Sequence, residues 1–354
     1  MAQGAPEPRG GPAIDAQDLL ARAAAAAARD RALGEATTRD LAIPESLRLD
    51  ERTRSAMLIT LEQIVSAIEG SLRRAVAPEG FPGIGPALPL LHAAGLAADR
   101  ALVDELLAQI RLEQLASGLP HRAAEHPARP SLINRLAEHP APELSGAARA
   151  LLVAESRARS PEAGRWMLPL TLHHRLLWWV ASAMREQAGT LAGVALDAAL
   201  CAAVAAECAL AEQAMEHQVE AAALRLAAAI APEPRERARV LLEALRDRHV
   251  PLFLAMLARS GGVTFADARG LLLDPGAERL LLVLHALDVP RQAIAELCFL
   301  LSDADPRRDL AALADAIDML AALDIAEARA VLAELRLPPD YRAARAALRG
   351  VRAR

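Results

Sequence analysis

Three stretches toward the C-terminal end share a rhythm: "VTFADARGLL" (263–272), "LDVPRQAIAEL" (287–297) and "LDIAEARAVLAEL" (323–335). Each places apolar residues at three- and four-residue spacing, the pattern of an amphipathic helix. Each also opens on a helix start signal: Thr264 with Asp267, Asp288 ahead of Pro290, and Asp324 with Glu327. The second and third starts lie 36 residues apart, a spacing typical of a two-helix repeat, whereas the first interval is 24 residues, so the period is irregular. A short helical pair cannot cover its own apolar face, so its neighbours must. The expected fold is all-α, a stack of helical hairpins forming an α-solenoid.

Composition agrees with that reading. Hydrophobic residues make up 53% of the 354-residue chain but aromatics only 2%, so the core must be built of Ala, Leu and Val. Ala and Leu are the best helix formers, and the strand-favouring aromatics are scarce. All 40 basic residues are arginine. Without lysine there is no Schiff-base amine and no P-loop ammonium. The net charge of −5 argues against the whole chain being a nucleic-acid binder. Cys201, Cys208 and Cys298 form no CxxC pair and have apolar neighbours, as expected of reduced thiols in a cytoplasmic protein. The opening residues carry no basic-then-apolar signal pattern. Asp197 and Glu207 interrupt the Ala-rich stretch that follows residue 194, so no membrane span is expected.

Working outward, residues 1–14 are rich in Gly and Pro and are expected to be disordered. An N-terminal helical segment is expected over 15–117. It begins with "LLARAAAAAARDRAL" and continues with a helix over about 51–77, on which Met57, Leu61, Ile64, Ile68 and Leu72 recur. "APEGFPGIGPALP" (77–89) reads as a loop, and a further helix is expected from Asp99 to Ala116. "SGLPHRAAEHPARP" (117–130), with three prolines, reads as a linker. The helical-repeat domain is expected over 131–337, with a turn at His139–Pro142, a Ser160 N-cap before Pro161, and a long Ala-rich stretch over 195–230 broken once. An Arg-rich tail fills 338–354.

"LINRLAEHPAPELSGAARALL" (132–152), "LPLTLHHRLLWWVASAMR" (168–185) and "PLFLAMLARSGGVTFADARGLLLDPGAERLLLVLHALDVP" (251–290) resemble the DUF2336 family of bacterial proteins, over roughly residues 130–320. The resemblance implies a cytoplasmic, HEAT-like helical-repeat protein of alphaproteobacterial type. It carries no catalytic residues to transfer.

Site by site, the sequence points away from catalysis and toward contact. The histidines are scattered, and adjacent His173 and His174 stand about 100° apart on a helix, too far to face one ion. No HExxH occurs, and Cys201 with Cys208 cannot alone close a zinc site. No GxSxG nucleophile motif occurs, and a helix C-cap explains the glycines after Ser260. No catalytic residue, metal ligand or cofactor is therefore assigned. On a helical wheel with Leu172 at zero, Leu172, Ala183, Leu176, Val180, Met184 and Leu177 fill an apolar arc reaching about 140°. His173 falls inside it. Trp179, at about 340°, borders the arc and should pack partly inward. Trp178, at about 240°, stands with His174 and Arg185 on the polar side. Those three residues are the candidate partner contact. In the tail, Arg342, Arg345, Arg349 and Arg352 share a helix face, a candidate contact for an anionic surface. The expected function is a non-enzymatic cytoplasmic scaffold or adaptor for a protein partner. The alternative is an enzyme or small-ligand-binding protein with its site between repeats.

Overall fold

The computed structural model describes residues 49–76, 85–120, 130–159, 168–189, 194–320 and 322–352. The expectations for residues 1–14, for the helix over 15–32, for the Ser160 cap and for most of the 117–130 linker fall outside these. Every regular element among the described residues is a helix, and the chain is all-α. The helices are α1 (Glu51–Val76), α2 (Ala87–Ala93), α3 (Arg100–Gly118), α4 (Leu132–Ala137), α5 (Pro142–Ala158), α6 (Leu170–Ala188), α7 (Val194–Ala214) and α8 (Val219–Ile230). They continue with α9 (Pro234–Arg246), α10 (Val250–Gly261), α11 (Phe265–Leu273), α12 (Glu278–Ala286), α13 (Arg291–Ala304), α14 (Leu310–Leu320), α15 (Ile325–Leu335) and α16 (Pro339–Arg352).

Caps account for many of these boundaries. Asp99 accepts from the Leu102 N–H at 3.0 Å and starts α3. Thr264 and Asp267 form the expected box at the head of α11: the Asp267 N–H donates to Thr264 Oγ1 at 3.0 Å, and that hydroxyl donates to Asp267 at 2.7 Å. Asp324 accepts from the Ala326 N–H at the head of α15. Asp288 acts differently. It sits in the left-handed region at φ 60° and closes α12, and the next residue's N–H, that of Val289, reaches back to the Leu284 carbonyl at 3.1 Å. Pro290 takes the cap position of α13. Gly262 ends α10 in the same way, with Val263 N–H on Ala258 O at 3.0 Å. The loop expected over 77–89 gives way at Ala87 to α2. Pro89 is tolerated in its first turn, where backbone N–H groups have no helical partner. The buried Glu69 carboxylate takes one of those orphans, the Ala87 N–H, at 2.9 Å.

Arginine repeatedly serves the opposite ends. Arg248 donates to Ala116 O at the end of α3, Arg149 to Ala137 O at the end of α4, Arg336 to Gly261 O at the end of α10, and Arg308 to Leu272 O at the end of α11. A guanidinium offers five donors in a fixed fork, and helix C-terminal carbonyls are orphaned acceptors at the negative end of the helix dipole.

Two hydrophobic clusters form. One draws on α1, α2, the first half of α3, α6 and α7, with Ile64, Ile68, Leu72, Leu177 and Val180 at its centre. The other draws on the end of α3, on α4, α5 and the helices from α8 to α15, around Phe253, Leu241 and Leu245. Neither cluster is confined to one side of residues 117–130. Helix α5 packs directly on α8, passing over the α6–α7 pair, which joins α1 and α2 instead. Helix α3 enters both clusters: Leu102 and Leu106 lie in the first, Leu115 and Leu119 in the second. Its end also packs on α13, with Gly118 against Ala304.

A β-carbon at Gly118 would fall inside the contact distance of the Ala304 carbonyl oxygen and only 3.0 Å from the Ala304 Cα. The obstacle is backbone and cannot rotate away. Gly118→Ala should therefore cost about 1–3 kcal/mol through overpacking, although alanine is the better helix former. Urea unfolding of the two proteins measures this, and an alanine variant as stable as the parent would show that the two helices do not meet there.

Candidate functional site

The surface of α6 carries the sequence's densest landmarks. His173 is buried at 2% exposure, as its place in the arc requires. The two tryptophans do not have the expected opposite fates: Trp178 is 45% exposed and Trp179 40%. The buried arc runs from Ala183 at about 20° on the wheel to Ala181 at about 180°, with Leu172 only half-buried, so its near edge falls short of Trp179. Both indoles thus flank one solvent-facing strip with Arg175 and Ser182. His174 is half-buried. Arg185 is committed elsewhere. It pairs with Asp197 of α7 at 2.5 Å and donates to Gly189 O at 3.3 Å, fastening α6 to α7. Arg175 pairs with Asp99 at 2.7 Å. Of the three residues expected at this contact, Trp178 faces solvent, while Arg185 is a clamp.

The tail forms α16, and Arg342, Arg345 and Arg349 are paired within the protein. Arg342 donates to Asp267 at 2.5 Å and to Leu337 O at 3.0 Å. Arg345 and Arg349 approach Glu334 at 3.6 and 3.8 Å, and Arg345 also lies 5.7 Å over the Tyr341 ring. Arg352 lies in the last turn of the helix.

Buried charges serve as staples. Arg269 of α11 forms a fork with Glu105 of α3 at 2.7 and 2.5 Å, and Gln109 donates to the same carboxylate at 2.8 Å. Burial pushes the neighbouring Glu220 carboxyl up, with Arg269 pulling it down and Glu105 pushing it further up. Asp305 and Arg308 are buried together after α13. Burial pushes the Cys298 thiol up to about 11, against the pull of Arg308. Among the described residues no three His, Cys, Asp or Glu side chains gather as a metal site would require. The Ala-rich stretch breaks at a short 3-10 turn, Met215–His217. By length and mean hydropathy, 1.9, Val194–Ile230 contains a window apolar enough to cross a membrane, and 33% of that window is buried inside the protein. Glu207, read from sequence as an interruption, is itself buried and accepts a hydrogen bond from Ser71 of α1.

One concavity was not foreseen. Between α5 and α8, with the turn that precedes α8, lies an open cavity of about 320 Å³ lined by the exposed side chains of Arg149, Arg157, Arg225 and His217, together with Gly146, Ala150, Val153 and Ala154. Six of these residues fall on one face of α5, at spacings of three or four along the helix. That periodicity was readable in the sequence. The arrival of His217 and Arg225 opposite it was not, because α6 and α7 intervene in the chain.

In a comparison with family models, residues 121–333 match the family described as "Uncharacterised protein conserved in bacteria (DUF2336)". The match spans more than half of the chain, which belongs to that family. Comparisons with curated proteins and with solved structures found no match.

Asp267 lies inside the matched region and its partner Arg342 beyond it. Burial alone would raise the Asp267 carboxyl, but the bonds from Arg342 and Thr264 outweigh it and hold the group below the usual carboxylate range. A depressed pKa contributes stability above the unfolded value, and that contribution is lost as pH falls through the folded value. Arg342→Ala should cost about 1 kcal/mol at pH 7, and the difference from the parent should shrink below about pH 4. Paired denaturation curves across that range check the sign. A deficit that persists unchanged in acid would show that the ion pair is not its source.

Proposed function

We propose that this DUF2336 member is a non-enzymatic scaffold or adaptor of the cytoplasm, a HEAT-like stack of helical hairpins that binds a protein partner through the outer strip of α6. The carrying observation is the adjacent pair Trp178 and Trp179, both substantially exposed in a chain with three tryptophans in all. Exposed indole is a large apolar surface with one polar N–H, and tryptophan is enriched among the residues that dominate interface energetics. The charged side chains around it support the same reading. Arg175 and Arg185 are held by Asp99 and Asp197, so the strip is presented by a rigid helix rather than a mobile loop. A second reading, small-ligand binding between helices, draws on the cavity of α5 and α8.

Trp178→Ala and Trp179→Ala should each cost about 1–2 kcal/mol of stability, less than the roughly 3–5 kcal/mol of a fully buried aromatic. Together they should remove a partner's binding by a hot-spot margin, on the order of 2 kcal/mol or more. Thermal melts of the variants come first. Quantitative mass spectrometry then compares what the parent and the folded double variant retain from native cytoplasm, and the affinity of the lost species is measured with purified components. Retention unaffected by both substitutions would place the contact elsewhere.

A further inference from the structure

The cavity between α5 and α8 collects positive charge against the trend of a chain whose net charge is −5. Three guanidinium groups and an imidazole line it, and among the described residues no carboxylate does. Two of the arginines are steadied by backbone. Arg149 donates its Nε–H to Ala137 O at 3.2 Å, and Arg225 donates one Nη–H to Glu216 O at 2.5 Å. Each keeps further N–H donors on its fork. Arg157 makes no ion pair or hydrogen bond among the described residues. Of the two acids on the same helix, Glu155 pairs with His249, the residue before α10, at 3.4 Å, and Glu143 stands in the first turn of α5; neither lines the cavity. Ala150, Val153 and Ala154 give the α5 wall an apolar part, and a β-carbon at Gly146 would meet open space.

We infer that this cavity is an anion site for the phosphate group of a small phosphorylated organic molecule. The inference deepens the second reading above and uses no residue of the α6 strip. Three guanidiniums ask for more than one negative charge on a compact group with several acceptor oxygens. A phosphate monoester supplies both, whereas a single carboxylate offers one charge and two oxygens. A volume of about 320 Å³ stands at the lower end of the range for ligand sites, which fits a small metabolite. The apolar part of the α5 wall would contact its carbon skeleton.

The test is isothermal titration calorimetry of the full chain at fixed ionic strength, with inorganic phosphate, adenosine monophosphate and adenosine as probes. Saturable one-to-one binding of both phosphate-bearing probes is expected, with none for adenosine. Arg157→Ala removes a side chain that holds nothing else, so it should keep the melting temperature and weaken phosphate binding about tenfold or more, the worth of one hydrogen bond to a charged group. Gly146→Glu starts from a β-carbon position with nothing within 4 Å, improves helix propensity and should abolish binding by placing a carboxylate on the wall. Arg159→Ala, just past the end of α5 and off the wall, should leave binding unchanged. No saturable phosphate binding at concentrations on the order of 10 mM, above the weakest affinity of a working site, would overturn the assignment. So would an Arg157→Ala protein, or a folded Gly146→Glu protein, that binds phosphate as the parent does.

Discussion

Helix α3 commits its two ends to different hydrophobic clusters, and the rest of the structure has to accommodate that. Its length of about 28 Å is enough to seat Leu102 and Leu106 in one core and Leu115 and Leu119 in the other. Between them the Glu105 carboxylate takes the Arg269 fork and fixes the register of α3 on α11. A buried ion pair is weak evidence for net stability, because desolvation offsets much of the attraction. Its effect is directional: sliding α3 by one turn would leave a buried charge without its partner. Gly118 sets the other coordinate, the depth at which the helix end meets the backbone of α13.

An all-arginine complement of cations changes how such a fold can be closed. Alanine-rich helices are short of bulky side chains and of polar groups that reach far. Guanidinium forks extend from one helix to the terminal carbonyls of another, as Arg248, Arg336 and Arg308 do. A lysine would bring a point charge and three rotating donors to the same carbonyls, without the planar fork. Much of the positive charge thereby serves architecture. This includes Arg185 and Arg342, which the pattern of the sequence alone marked as surface contacts.

Local chemistry was legible in the sequence wherever it acts within one helix. The apolar stripe of α1, the Thr264 box, the Asp324 cap, the burial of His173 and the single break of the Ala-rich stretch all follow from spacing and residue type. Asp288 shows the limit of such reading. "LDVP" and "LDIA" look alike, yet Pro290 takes the cap position in the first, and Asp288 is left to close the preceding helix at positive φ. Trp179 shows another limit, since the position of a buried arc depends on what packs against it, and here the arc reaches Ala181 on one side while leaving Leu172 only half-buried on the other. The Arg-lined cavity was invisible for a third reason. Its two walls are separated by some sixty residues, and no periodicity reports which helices will meet.

The direct packing of α5 on α8, over the top of the α6–α7 pair, bears on the order in which the molecule assembles. Bringing α5 and α8 together closes a long loop, an entropic cost that grows only logarithmically with loop length. Once closed, the cluster around Phe253 is complete without α6 or α7. The α6–α7 pair belongs to a different packing unit, the cluster it shares with α1, α2 and the first half of α3. The tryptophan strip sits on that unit. The indoles are thereby held by a cluster that meets the one around Phe253 through α3, the helix common to both.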